Sequence, residues 1–169
     1  MMKSKVSHFI FLGLIMTSVL AVGVMAVETT ETYVNRDLGF SIEYPASWKN
    51  ANVRGGNIVV MFTGGSINRN VQVMHDKGGE EAGKATLERL AEILKTQNEL
   101  TAEWRDVHGR RAFFQVVEWS SPLGINRAVR LLVPDGDQHF LVMGVCPAGD
   151  FDALGPLLTQ CVLSFRMTE

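Results

Sequence analysis

Cysteine is almost absent from this chain. Only Cys146 and Cys161 occur in 169 residues, and they do not form a Cys-x-x-Cys pair. That excludes a disulfide-dense scaffold and gives no signature of a redox catalyst. Proline is scarce as well, with five residues and no Pro/Ser-rich linker, and neither an internal repeat nor a low-complexity tract is present. Nothing therefore divides the chain into two domains. Also missing are a Gly-x-Ser-x-Gly elbow, a His-Glu-x-x-His pair, a Walker-type loop and a Gly-x-Gly-x-x-Gly turn. The glycine-rich stretch Gly64-Gly65-Ser66-Ile67-Asn68 lacks the lysine of a phosphate site and reads as a hairpin loop. No Lys/Arg cluster interleaves with aromatics, which leaves no track for a nucleic-acid backbone.

What is present suits one globular domain. With 46% hydrophobic and 20% charged residues, a chain of this length can bury roughly two-thirds of its unfolded surface. Residues 1–26 are of different material. Lys3 and Lys5 precede an apolar or small run from Phe9 to Val24, and Val24-Met25-Ala26 is small at the two positions a signal peptidase reads. The run is about 16 residues, short of the roughly 20 that a membrane anchor needs. The expectation is a signal peptide over 1–26, cleaved after Ala26, and a single domain over 27–169. No stable membrane span then remains, and the product resides in a periplasm, a thylakoid-lumen-like compartment or the medium. Cleavage removes two basic and no acidic residues, leaving fourteen basic against eighteen acidic, net −4. Arg110-Arg111, the densest basic spot, follows a turn and reads as a solvated hairpin end.

Strands recur in pairs joined by glycine-bearing turns. Residues 57–62 and 70–76 flank one such turn, 103–107 and 111–119 flank His108-Gly109, and 126–133 and 139–146 flank Asp135-Gly136. Each pair predicts an antiparallel hairpin. The 139–146 segment is apolar on both faces, as in a central strand covered on both sides. Two helices can supply cover. Over 80–97, Leu87, Leu90, Ala91 and Leu94 form a stripe opposite Lys84, Glu88, Glu92 and Lys95. Near the end, Phe151, Leu154, Leu157, Leu158, Cys161 and Phe165 form another, with Asp150 as a candidate N-cap and Pro156 predicting a start near Gly155 or a kink. The predicted class is α+β, a central antiparallel β-sheet flanked by helices.

The stretch Asp37–Lys49 alternates Phe40, Ile42 and Tyr44 against Ser41 and Glu43, then stops at Pro45 and turns into Trp48. Pro45 cannot extend the ladder, and Trp48 is placed to cover an end of the core rather than to stack on a ligand. Tyr33-Val34-Asn35, Gly39-Phe40-Ser41-Ile42, Tyr44-Pro45 and Trp48, followed by a strand-rich middle and a closing helix ending in Ser164-Phe165, resemble the PsbP-like superfamily. That superfamily includes the photosystem II protein PsbP, the periplasmic DcrB proteins and Ran-binding Mog-type factors. The resemblance spans Tyr33 to Met167. It implies an α/β/α sandwich and a non-catalytic binding or assembly module, acting in the cell envelope on an unknown protein or small ligand.

No catalytic, cofactor or metal residue is assigned. His75, His108 and His139 lie at strand ends or turns without metal-ligand spacing and are expected to face water. Asp76, Glu80 and Glu81 read as a helix N-terminal turn rather than a calcium loop. Two alternatives stay open: a photosystem II extrinsic subunit, although only 27–32 would precede the domain, and an enzyme with a strand-borne site drawn from Glu118, Arg130, His75 and His139. The one pairing expected is a disulfide between Cys146, ending an interior strand, and Cys161, on the apolar face of the closing helix. The connection over 147–155 is long enough to lay the helix back across the sheet, and a bridge would stabilise the domain by roughly 3 kcal/mol. The other possibility is two separately buried thiols. Intact-mass analysis of the exported product should give a chain beginning at Val27, whereas a full-length cytosolic chain would refute the export signal.

Overall fold

The computed structural model describes residues 28–53, 56–94 and 97–168. The expected signal peptide lies outside the described residues.

Among the described residues ten strands form two antiparallel sheets. In chain order they are β1 (Thr30–Asn35), β2 (Phe40–Pro45), β3 (Lys49–Asn50), β4 (Ile58–Thr63), β5 (Asn70–Lys77), β6 (Asn98–Val107), β7 (Arg110–Ser121), β8 (Gly124–Asp135), β9 (Gln138–Pro147) and β10 (Arg166–Met167). Helix α1 (Glu80–Leu94) links β5 to β6, and α2 (Phe151–Leu163) follows β9. The large sheet has the order β3-β4-β5-β9-β8-β7-β6, and the small one β1-β2-β10.

All three predicted hairpins form, as β4–β5, β6–β7 and β8–β9. Their turns show why. His108 and Gly109 both have positive φ (53° and 78°), as the two central residues of a tight hairpin matched to strand twist must. At the β8–β9 turn, Asp135 pairs with Gln138 and Gly136 takes φ +63°, a left-handed conformation that costs glycine little.

β9 is buried from His139 to Cys146, as expected of a central strand. Phe140, Val142 and Cys146 point to one face and Leu141, Met143 and Val145 to the other. α1 covers the second face, packing Leu87 and Leu90 against Val117, Ala128, Leu132 and Leu141. The first face is covered by α2 together with the small sheet, so helices alone do not flank the large sheet as a plain sandwich would require. Phe40 of β2, Phe140 of β9 and Phe165 after α2 meet with centroids 5.3–5.6 Å apart. Trp48 is buried and lies so close to Gly64 that a Cβ there would sit 2.6 Å from its ring. The turn after Pro45 thus seals one end of this core.

Several expectations are corrected. α2 begins at Phe151 and runs through Pro156. Pro156 withholds only the amide that would bond the Asp152 carbonyl, and both residues are exposed, so water can take that carbonyl. Asp150 holds the N-cap position without a side-chain cap bond. Its carboxylate instead accepts from Arg69 Nε and Nη2 at 3.0 and 2.6 Å, tying the β4–β5 loop to the start of α2. His139 does not face water. It is 2% exposed, its Nδ1–H donates to the Gly78 carbonyl at 2.7 Å, and its Nε2 lies 3.3 Å from Thr86 Oγ1.

The Cys146–Cys161 disulfide is absent: both thiols are free and fully buried. Gly144, not Cys146, lies under the middle of α2, where an added Cβ would meet Leu158 Cβ at 3.0 Å and Val162 Cγ2 at 3.4 Å. Cys146 is two residues further along the strand, about 6.6 Å toward the turn, while Cys161 sits in the half of α2 that runs away from that turn. Their charged surroundings differ accordingly, with Asp150, Arg127 and Arg69 near Cys146 and Glu43 and Glu28 near Cys161. Burial pushes the Cys146 thiol up to about 11 and the Cys161 thiol up to about 12, so neither carries appreciable thiolate at neutral pH. Thiol titration at pH 8 should find neither cysteine in the native chain and both after denaturation without reductant. No free thiol in the denatured sample would restore the bridge.

Candidate functional site

The residues considered for a strand-borne active site do not converge. Glu118 faces the α2 side, where it accepts from Arg127 Nη2 at 2.6 Å while Arg127 stacks over Phe151 at 4.8 Å. His75 rests against the Phe140 ring on that same side, with Nε2 2.8 Å from Gln138 Oε1. Arg130 and His139 are on the α1 side. The cross-strand partner of Arg130 is Met143, four residues from His139, or about 13 Å along β9. His108 is exposed and bonds the Leu163 carbonyl. Among the described residues no group of three or more His, Cys, Asp or Glu side chains is placed to hold a metal ion.

The charged turns are satisfied internally. Arg110 pairs with Asp135 at 2.5 Å, and Arg111 lies 4.0 Å over the Trp104 ring. Glu80 and Glu81 both bond Lys84, and the Lys84 bond holds the Glu80 carboxyl below its usual range. Glu80 and Glu81 form the first turn of α1 as the reading of a helix N-terminal turn requires, whereas Asp76 lies within β5 and does not belong to that turn; the contacts also occupy the arginine pair within the fold.

A different set of residues stands out. Antiparallel register places Gln72 of β5, Met143 of β9, Arg130 of β8 and Gln115 of β7 on one row across the sheet. Residues of one row share a face, and this row faces α1. Gln72 is 8% exposed, Gln115 6% and Arg130 2%. Asn70, one row further on at the same face, is also buried. Such groups are normally paired, yet Gln72 Oε1, Gln115 Oε1, Asn70 Oδ1 and Arg130 Nε have no hydrogen-bond partner among the described residues. Each unsatisfied group costs about 1–3 kcal/mol. A cluster of them on one face is therefore not a packing solution for its own sake.

Arg130 is the unusual member. Nη1 donates to Gln97 Oε1 at 2.9 Å, and the guanidinium stands 5.8 Å from the Trp119 ring, but no ion pair reaches it among the described residues. Burial without a carboxylate pulls the guanidinium pKa well below its ordinary value, to about 10. It stays charged at neutral pH.

Two clefts open on this face. One, of about 270 Å³, is bordered by the end of α1 at Leu90 and Leu94, by the polar residues Asn70, Gln72, Asn126 and Arg130, and by Trp119 and Met143. The other, of about 320 Å³, lies toward the β6 edge between Lys84, Leu87, Glu88, Glu99, Trp104 and Gln115. There Gln115 Nε2 donates to Glu99 at 2.7 Å. Among the described residues neither cleft offers a nucleophile beside a general base. Both suit binding: a mostly apolar wall with a few fixed polar groups.

The comparisons follow from this architecture. No protein-family profile matches the sequence, and no curated protein matches it either. Solved structures do. The cyanobacterial PsbP (CyanoP) of Synechocystis superposes with a TM-score of 0.65 at 13% identity, covering 86% of this chain and 96% of that one. The chain has the PsbP-like fold. The Ran-binding protein Mog1p of Saccharomyces cerevisiae is similar at TM-score 0.59 and 11% identity, over 84% of this chain and 97% of its own. LpqN of Mycobacterium tuberculosis, described as involved in cell envelope biogenesis, follows at 0.54 and 10%, over 83% and 91%. At these identities the likeness carries the fold alone.

Sequence reasoning missed the polar row. Its trace was a single polar residue inside each of three otherwise apolar strand segments: Gln72 in 71–74, Gln115 in 112–117 and Arg130 in 128–133. Only register shows that the three align. Because burial disfavours the charged guanidinium, its cost is fully present below about pH 10 and fades as pH rises above that toward the ordinary guanidinium range. Arg130→Met should therefore unfold in urea at pH 7 with stability equal to the parent or higher by about 1–3 kcal/mol, with the gap narrowing above pH 10. A loss beyond about 1 kcal/mol would make Arg130 a packing residue.

Proposed function

We propose that this chain is an exported, non-catalytic binding module of the cell envelope whose ligand or partner engages the α1-covered face of the large sheet. The observation that carries the reading is the row of buried, unpartnered polar atoms at Gln72, Arg130 and Gln115, opening onto two clefts. A fold kept only for its stability would replace such a row with apolar side chains. Support comes also from the company of the fold. Mog1p is described as Ran-binding, which suits recognition, and LpqN as involved in cell envelope biogenesis, which suits an envelope location. No helix among the described residues is long and apolar enough to cross a membrane, which is compatible with a product released after export.

Two experiments test this. Broad hydrolytic and redox screening of the purified mature chain should stay at background. Reproducible turnover that disappears in His75→Ala, His139→Ala or Glu118→Ala would overturn the non-catalytic reading. The mature chain, immobilised and exposed to envelope extract, should retain a protein or a small molecule. That retention should fall in Trp119→Ala, and retention indifferent to changes on the α1 face would place the binding surface elsewhere.

A further inference from the structure

We propose that the cleft beneath the C-terminal end of α1 binds a small organic monocarboxylate with an apolar body, received by Arg130 and seated against Leu90, Leu94, Trp119 and Met143. The inference rests on the binding-module reading and names the ligand class.

Three features select this chemistry. First, the described lining of the cleft carries one unbalanced positive charge. Arg130 is the only ionisable side chain among its described lining residues, the others being Asn, Gln, Trp, Met and aliphatic side chains. A guanidinium at 2% exposure, with one donor on Gln97 and Nε unpaired, lacks the partner that buried arginines ordinarily have. The planar fork of that side chain matches a carboxylate, which could accept from Nε. Second, the charge count favours a monoanion. One carboxylate neutralises one guanidinium, whereas a phosphate dianion would leave a net negative charge in a site whose described lining holds no second cation. The neighbouring cleft does not compete for an anion, since Glu88 and Glu99 line it and Lys84 is bonded to Glu80 and Glu81. Third, Leu90, Leu94, Met143 and Val145 line the remaining wall, with the Trp119 indole available to pack against a flat or aliphatic body. Asn70 Oδ1 and Gln72 Oε1, both unpartnered and both in this cleft, add a preference for an acid that also carries an O–H or N–H donor.

The test uses the mature chain with octanoate and phenylacetate as probes, octanol and 2-phenylethanol as their uncharged counterparts, and octyl phosphate as the dianion. Binding is read at millimolar concentration from tryptophan fluorescence and from Tm. The carboxylates should bind at least about tenfold more tightly than the alcohols, the worth of one charge-assisted hydrogen bond, and more tightly than octyl phosphate. Arg130→Met should fold and lose the preference for carboxylate over alcohol. Arg130→Lys should keep part of it, and Lys77→Met, at the exposed end of β5 and outside both clefts, should leave it unchanged. Equal binding of acids and alcohols, a carboxylate preference that survives Arg130→Met, tighter binding of octyl phosphate, or no binding by any carboxylate would each overturn the proposal. If no acid binds while a partner from envelope extract shields Trp119 from acrylamide quenching, the ligand class falls and the binding-module reading stands. If neither occurs, both fall.

Discussion

The structure depends on the burial of β9 on both faces. A strand that is apolar on alternate residues needs one covering layer; one that is apolar throughout needs two. Phe140 and Val142 are met by α2 and the small sheet, Leu141 and Met143 by α1. Gly144 sets the closeness of the first layer, since α2 rests on its bare backbone through Leu158 and Val162. The rest of the topology serves this strand. β8 and β5 flank it, β8–β9 is a hairpin with a two-residue turn, and the small sheet folds over the end of the core left open beside Phe165.

Much of this was legible before any coordinates, because the relevant signals are local. Alternation, glycine at turns and a 3.6-residue apolar stripe each act over a few residues, and they located the three central hairpins and both helices. The boundaries that moved did so under tertiary influence. α2 starts earlier than Pro156 suggested because its solvent side tolerates a missing amide. His139 went inside because Gly78 and Thr86 offered it partners across a gap of more than fifty residues. The cysteine pairing failed for a related reason. The chain reverses after β9 as the sequence predicts, but the point of closest approach between strand and helix is fixed by a glycine two residues from Cys146.

The candidate site was illegible for a stricter reason. Gln72, Gln115 and Arg130 lie on three strands separated by fifteen to forty-three positions, and only the hydrogen-bond register across β5, β9, β8 and β7 places them on one row. A one-residue slip at any of those ladders would send part of the row to the opposite face. In sequence each is a single interruption of an apolar strand, and such interruptions ordinarily mark a solvent-facing position.

The two covering layers are not held alike. α2 buries Gly155, Leu158, Cys161 and Val162, whereas α1 buries only Gly83 and Leu87. The sheet between them therefore acts as a partition with a stiff side and a compliant one. Local openings that lift α1 expose the smaller cluster around Leu132 and Leu141 while the phenylalanine cluster on the far side stays closed. Amide exchange along α1 should outpace that along α2, and the face bearing Arg130 can admit and release a guest by breathing, without the whole domain having to unfold.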